Sequence, residues 1–173
     1  MLSYGYTVLC LILVCLQTSA CQTFNWTGWA NTTNPSAAKF TTTAVDSNGN
    51  VYGAVWYNNV VKVGGTTYSN TGWFDHVLVK YSKTGTLIWA HSYEPYAVYK
   101  IIVSADGSAI YITGGLENSA TFGSDYITSY AVGNLDIFVA KIDANTGDGI
   151  WGLLNLQELL IMVSLWQRPV MEE

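Results

Sequence analysis

Charge is scarce in this chain. Asp, Glu, Lys and Arg make up 11 % of its 173 residues, and the 7 basic ones never form a run. Phosphate backbones are bound by clustered Lys and Arg, so nucleic acid is excluded as a partner. The net charge of −5 argues the same way. There are two histidines, His76 and His91, and neither stands in a spacing that would hold zinc. Cysteine is limited to Cys10, Cys15 and Cys21. The first two fall in the apolar leader, so the mature chain cannot close an internal disulfide. No Gly-x-Ser-x-Gly element is present to mark a nucleophile elbow. No apolar run is long enough for a typical membrane span.

What is abundant is turn chemistry and aromatic surface. Sixteen Gly, with many Thr, Ser and Asn, predict frequent turns and little helix. Aromatics reach 14 %. The positive mean hydropathy comes in part from the two chain ends.

The N-terminal end reads as a signal peptide over residues 1–20. Val8 to Leu16 is an apolar core of about 9 residues, within the usual range for a signal and too short to span a bilayer. Ser19 and Ala20 provide the small residues of a cleavage site, although no Lys or Arg precedes the core. Thr18-Ser19-Ala20-Cys21 loosely resembles a lipoprotein box, making Cys21 a candidate for lipidation. Asn25-Trp26-Thr27 and Asn31-Thr32-Thr33 fit the N-glycosylation pattern at Asn25 and Asn31.

The centre of the chain repeats itself. Asp75-His76-Val77-Leu78-Val79-Lys80-Tyr81, a Thr84-Gly85 turn and Trp89 are matched by Asp136-Ile137-Phe138-Val139-Ala140-Lys141-Ile142, Thr146-Gly147 and Trp151. Upstream, Gly49-Asn50-Val51-Tyr52 matches Gly107-Ser108-Ala109-Ile110-Tyr111 with a one-residue offset. Trp29, Trp89 and Trp151 fall 60 and 62 residues apart. Strands are predicted at Phe40–Val45, Val51–Tyr57, Val98–Val103 and Ala109–Thr113. Four antiparallel strands in each period predict the blade of a β-propeller. Gly85 and Gly147 supply positive φ in the hairpin before each tryptophan. The recurring tryptophan is expected to fill the gap between neighbouring blades.

These units resemble the bacterial-type β-propeller repeat family, whose blades carry Gly-Asn-Val-Tyr, Asp-x-Phe-Val-Ala-Lys and Gly-x-x-x-Trp. The likeness covers about residues 26–152 and is better in the second unit than in the first. It implies a secreted or surface propeller and carries no catalytic residues across. Asp143 through Trp151 also resembles the Asp-x-x-Thr-Gly-x-x-x-Trp docking motif of the pyrroloquinoline quinone dehydrogenases, another propeller family. In that family the motif staples blades together and binds no cofactor. The vicinal cysteines and calcium cluster of those enzymes have no counterpart here.

Residues 153–173 break the pattern. They contain no Gly, Thr, Tyr or Asp, and Leu153 to Trp166 reads as an apolar, helix-like stretch that Pro169 would stop. The change points to a shifted reading frame past Trp151, with a genuine C-terminal helix as the competing expectation.

The remaining motifs read as structure. Asp46-Ser47-Asn48-Gly49-Asn50 lacks the twelfth-position Glu of a calcium loop, since residue 57 is Tyr. It is expected to be a plain turn. Asp75 and Asp136 are expected to cap strand starts rather than flank a glycosidic bond. His76 is expected to be a satisfied, half-buried histidine. Tyr52, Trp56, Tyr57, Tyr68, Trp73 and Phe74 form an aromatic-rich candidate surface for sugars or peptides, most of them expected in the core between blades.

The fold expected is thus all-β: about two antiparallel four-stranded blades of an incomplete propeller over residues 21–152, after the signal segment. The function expected is a non-enzymatic secreted or cell-surface scaffold for a protein or glycan ligand, with no cofactor and no metal. Self-association through open blade edges is the further expectation, because two blades leave edges unpaired. The alternatives are a fragment of a propeller enzyme, quinoprotein-like or glycan-hydrolysing, whose catalytic part lies elsewhere, and a truncated non-functional product.

Overall fold

A computed structural model describes residues 37–70, 75–130 and 135–154. The signal segment, Cys21, Asn25, Trp29, Asn31, Trp73, Phe74 and residues 155–173 lie outside the described residues.

The first repeat comprises β1 (Ala37–Val45), β2 (Val51–Asn58), β3 (Val60–Val63), β4 (Thr66–Ser69), β5 (Asp75–Tyr81) and β6 (Leu87–Tyr93). The second comprises β7 (Ala97–Val103), β8 (Ala109–Leu116), β9 (Ser119–Phe122), β10 (Asp125–Thr128), β11 (Asp136–Asp143) and β12 (Gly149–Leu154). Each repeat forms one four-stranded antiparallel sheet, in the orders β1-β2-β5-β6 and β7-β8-β11-β12. The expectation of an all-β chain built of antiparallel four-stranded sheets is met, and the described residues contain no helix. The expected strands fall inside β1, β2, β7 and β8.

Two features go beyond the expected four strands. A two-stranded hairpin, β3–β4 or β9–β10, is inserted between the second and third strands of each sheet. Gly64 and Gly65 turn the first of these with φ 57° and 90°, the paired positive values that a two-residue hairpin turn requires. The strand β12 also continues through Leu153 and Leu154, which pair with Val139 and Phe138. The sheet therefore runs two residues into the segment expected to be an atypical tail. Both leucines alternate correctly for a strand whose partner β11 already supplies the hydrogen bonds.

Irregularities recur with the repeat. The β1–β2 register shifts between Phe40 and Thr42, and the β7–β8 register between Val98 and Lys100. The β5–β6 and β11–β12 ladders shift beside Lys80 and Lys141, leaving Ile88 and Ile150 as the extra residues. Both isoleucines are exposed. A bulge breaks the period-two alternation locally and re-aims the side chains beyond it. In these two ladders the re-aimed side chains are Trp89 and Trp151.

One core joins the sheets. Tyr52, Ala54, Leu78, Trp89 and Tyr93 of the first repeat pack in one cluster with Ile110, Ile112, Phe138, Ala140 and Ile142 of the second. The opposite face of the first sheet, including Val55, Tyr57, Val77 and Val79, packs with Val61 and Val63 of its own hairpin. Being covered on both faces explains why β2 and β5 are apolar almost continuously, where a half-exposed strand would alternate. Tyr52 and Tyr57 are fully buried. They are core residues and not part of an aromatic surface.

Candidate functional site

The turn between β11 and β12 is one place where the second repeat meets the first. Asp143 organises it: its Oδ1 accepts the amides of Asn145 at 2.7 Å and Thr146 at 3.1 Å. The Gly147 amide donates to the Asp143 carbonyl, and the Asp143 amide to that of Asp148. Gly147 sits at φ 83°, which L side chains rarely adopt. The Ala144 amide donates instead to the Ser108 carbonyl at 3.0 Å, and the turn presents two carbonyls outward.

The first repeat grips both. Lys80 Nζ donates to the Ala144 carbonyl at 2.8 Å, and Trp89 Nε1 donates to the same oxygen at 3.1 Å. The Tyr93 hydroxyl donates to the Gly147 carbonyl at 2.7 Å. Lys80 also lies over the Tyr52 ring, 5.0 Å from its centroid, and Tyr52 tilts against Trp89 at 6.1 Å. Tyr52 is 0 %, Lys80 6 % and Trp89 8 % exposed. A buried ammonium is tolerated only where donors are used and its charge is compensated. The carbonyl and the Tyr52 π-face provide that compensation. A Cβ at Gly147 would stand 2.8 Å from the Trp89 ring, so only glycine lets the turn approach this closely. The rim pair of His91 and Asp148, at 3.9 Å, is solvent-exposed and adds little.

Burial pushes the Tyr52 hydroxyl well above its usual range, reinforced by the charge of Asp46, to which it donates at 3.2 Å. Burial likewise raises Tyr93, with Asp148 adding to the effect. Neither phenol ionises near neutral pH. Both act as fixed hydrogen-bond donors.

A second clasp holds the connection between the repeats. His76 is completely buried, where half-burial was expected, because the second sheet covers the strand it stands on. The Val98 amide donates to its Nε2 at 3.2 Å. An amide can only donate, so Nδ1 carries the proton and donates to the Pro95 carbonyl at 3.1 Å. Burial lowers its pKa to about 4, against the opposing Pro95 hydrogen bond and with help from Lys39. The imidazole is neutral and both nitrogens are occupied.

The other sequence candidates stay local. Asp46 accepts the amides of Asn48 and Asn50, the Asn50 side chain and the Tyr52 hydroxyl. Its carboxyl is desolvated, yet these bonds outweigh that and hold its pKa below the usual value. In the second repeat Ser104 takes the Asp46 position and Asp106 takes over the bonding, accepting Ser104 Oγ and the Ser108 amide and hydroxyl. Gly49 and Gly107 close these two turns at φ 82° and 71°. Gly85 turns the β5–β6 hairpin at φ 86°. Asp75 and Asp136 open equivalent strands of different sheets. Asp75 is desolvated beside Glu94 and its pKa rises, while Asp136 accepts the Tyr130 amide at 2.6 Å. They are not brought together as a carboxylate pair. Tyr68 donates to the Ala90 carbonyl, tying its hairpin to β6. Among the described residues no group of three His, Cys, Asp or Glu is placed to hold a metal ion, and no helix is long and apolar enough to cross a membrane.

Lys80, Tyr93 and the Tyr52–Lys80 stack carry no role in the sequence reading. The signal was present: Tyr52 and Lys80 recur as Tyr111 and Lys141. No family model, curated protein or solved structure matches the chain.

Proposed function

We propose that the two repeats are blades of a β-propeller, and that the chain is a non-enzymatic, secreted or cell-surface interaction scaffold. The blade reading is supported by two sheets of identical strand order stacked face to face, with the turn of one seated in a cleft of the other. It is consistent with the resemblance to the bacterial-type propeller repeats. The secretory route rests on the leader pattern of Val8 to Leu16 followed by Ser19 and Ala20.

The observation that carries the scaffold reading is an imbalance of exposed apolar surface. Of the large hydrophobics that stand exposed among the described residues, Ile88 alone belongs to the first repeat. Tyr99, Ile102, Tyr126, Tyr130, Leu135, Ile137 and Ile150 all belong to the second repeat. The tyrosines among them suit an interaction surface, because each offers an apolar face with a polar tip.

Glycan and peptide arrays probed with the chain test this. Binding that is lost in a Tyr126→Ser, Tyr130→Ser double variant is the expected result. An array blank for the wild-type chain, or signal indifferent to the double variant, counts against the scaffold.

A further inference from the structure

The cleft that receives the Asp143–Gly147 turn exists twice. Tyr111, Lys141 and Trp151 occupy the same ladder positions in the second sheet as Tyr52, Lys80 and Trp89 in the first: Tyr52 pairs with Lys80 and Lys80 with Trp89, as Tyr111 pairs with Lys141 and Lys141 with Trp151. The geometry is also repeated. Lys141 Nζ lies 5.9 Å from the Tyr111 ring centroid, and Tyr111 tilts 55° against Trp151 at 6.2 Å. The first-repeat values are 5.0 Å, 54° and 6.1 Å. The same bulge, at Ile88 and at Ile150, precedes both tryptophans. What differs is cover. The first trio is buried, whereas Tyr111, Lys141 and Trp151 are all partly exposed, beside an exposed Ile137.

We infer that the Tyr111–Lys141–Trp151 face is a docking cleft for a further repeat of the same kind, which seats an Asp-Ala-x-Thr-Gly turn on it. The inference rests on the blade reading and deepens it by naming the partner. The first cleft serves as the template for what the second accepts. Its occupant contributes main-chain carbonyls to an ammonium and an indole N–H, a small residue at the Ala144 position, which is fully buried, and glycine at the Gly147 position, where a Cβ would strike the indole. These requirements discriminate. The chain's own β5–β6 turn, Ser82-Lys83-Thr84-Gly85, has the glycine but is one residue shorter and offers Lys83 where Ala144 stands. A lysine there would bring a second ammonium against Lys141, and like charges in a desolvated cleft repel. The partner is therefore a repeat with the second repeat's turn and not the first repeat of another copy.

The full chain is compared with the same chain extended after Glu173 by a second copy of residues 97–154. Residues 155–173 then act as the tether. The appended copy carries Trp151→Phe, so that the original Trp151 alone is read. Hydroxyl-radical oxidation is measured residue by residue, with Trp89 as the internal reference for a fully seated indole. The expected result is that Trp151 is oxidised faster than Trp89 in the unextended chain and falls to the Trp89 rate in the extended one. Gly147→Val within the appended copy is expected to restore the faster rate. Several outcomes overturn the inference. Trp151 could be as protected as Trp89 without the extension, which would assign the cleft to residues 155–173 or to self-association. Its oxidation could be unchanged by an appended repeat that adds strand signal in circular dichroism. The appended repeat could also remain unfolded beside a face that should template it. The array experiment reads Tyr126 and Tyr130, which are not members of the Tyr111–Lys141–Trp151 trio, so a chain that binds no glycan or peptide and a cleft that seats no repeat are separate outcomes.

Discussion

The two repeats carry the same trio of side chains on the same face, yet the trio lives in two different solvents. In the first repeat the face is closed. His76 and Leu78 are fully buried there, and Lys80 and Trp89 nearly so. In the second, Ile137 stands at the His76 position and is 57 % exposed, while Val139, Lys141 and Trp151 are partly exposed. The difference is not intrinsic to the sheets, whose strand order and bulges agree. It arises because one sheet has a neighbour on that face and the other has none among the described residues. Burial in a repeat protein is a property of the interface between units.

The largest expected effect separates the tryptophans. Trp89→Ala removes a buried indole and is expected to cost about 3–5 kcal/mol. Trp151→Ala is expected to cost about 1 kcal/mol or less, close to the range of surface substitutions. Urea midpoints of the two variants measure this, and equal losses would erase the contrast between the faces.

Next is the pH response of His76. Its folded pKa, about 4, lies below the unfolded value of 6.5. Above pH 6.5 both states are neutral there and stability is unaffected. As pH falls from 6.5 towards 4, the unfolded chain takes up a proton that the folded chain refuses. Stability therefore declines across that window by about 3 kcal/mol and levels off below it. Urea unfolding at a series of pH values should show this decline, and His76→Ile, which installs the second repeat's residue, should flatten it. A decline that persists in His76→Ile would assign it to other groups.

Lys80→Met keeps the stem and removes the charged donor to Ala144. It is expected to cost about 1.5–3 kcal/mol, and Lys141→Met within about 0.5 kcal/mol, both read from thermal unfolding. Tyr93→Phe deletes one hydroxyl, the donor to Gly147, and is expected to cost about 1 kcal/mol. Amide exchange of the Asp143–Asp148 turn should quicken in that variant before global stability changes much.

Much of the fold is legible in the sequence because strands and turns are local. The repeated segments that begin at Gly49 and Gly107 place β2 and β8, and Gly49, Gly85, Gly107 and Gly147 mark the turns. The inserted hairpins are less visible: Gly64-Gly65 is a plain turn signal, but its counterpart Gly123-Ser124 is weaker, and aligning the copies on their longer strands passes over both. The bulges are silent, since Ile88 and Ile150 are ordinary strand residues by type. The grip on the turn is harder still. A lysine ordinarily belongs at the surface. Lys80 is buried because of a carbonyl 64 positions away, and nothing near it in the chain announces that partner. His76 is similar: Pro95 and Val98 decide its burial and its tautomer.

The grip on the Asp143–Gly147 turn runs through backbone oxygens, while the Asn145 and Thr146 side chains of that turn remain exposed. Recognition between the repeats therefore depends on chain shape more than on a matched set of side chains. A copy can drift at its exposed turn positions and still be accepted by its neighbour, provided the small residue and the glycine stay. That makes each repeat an exchangeable part, joined by a fitting that does not change when the part is redecorated.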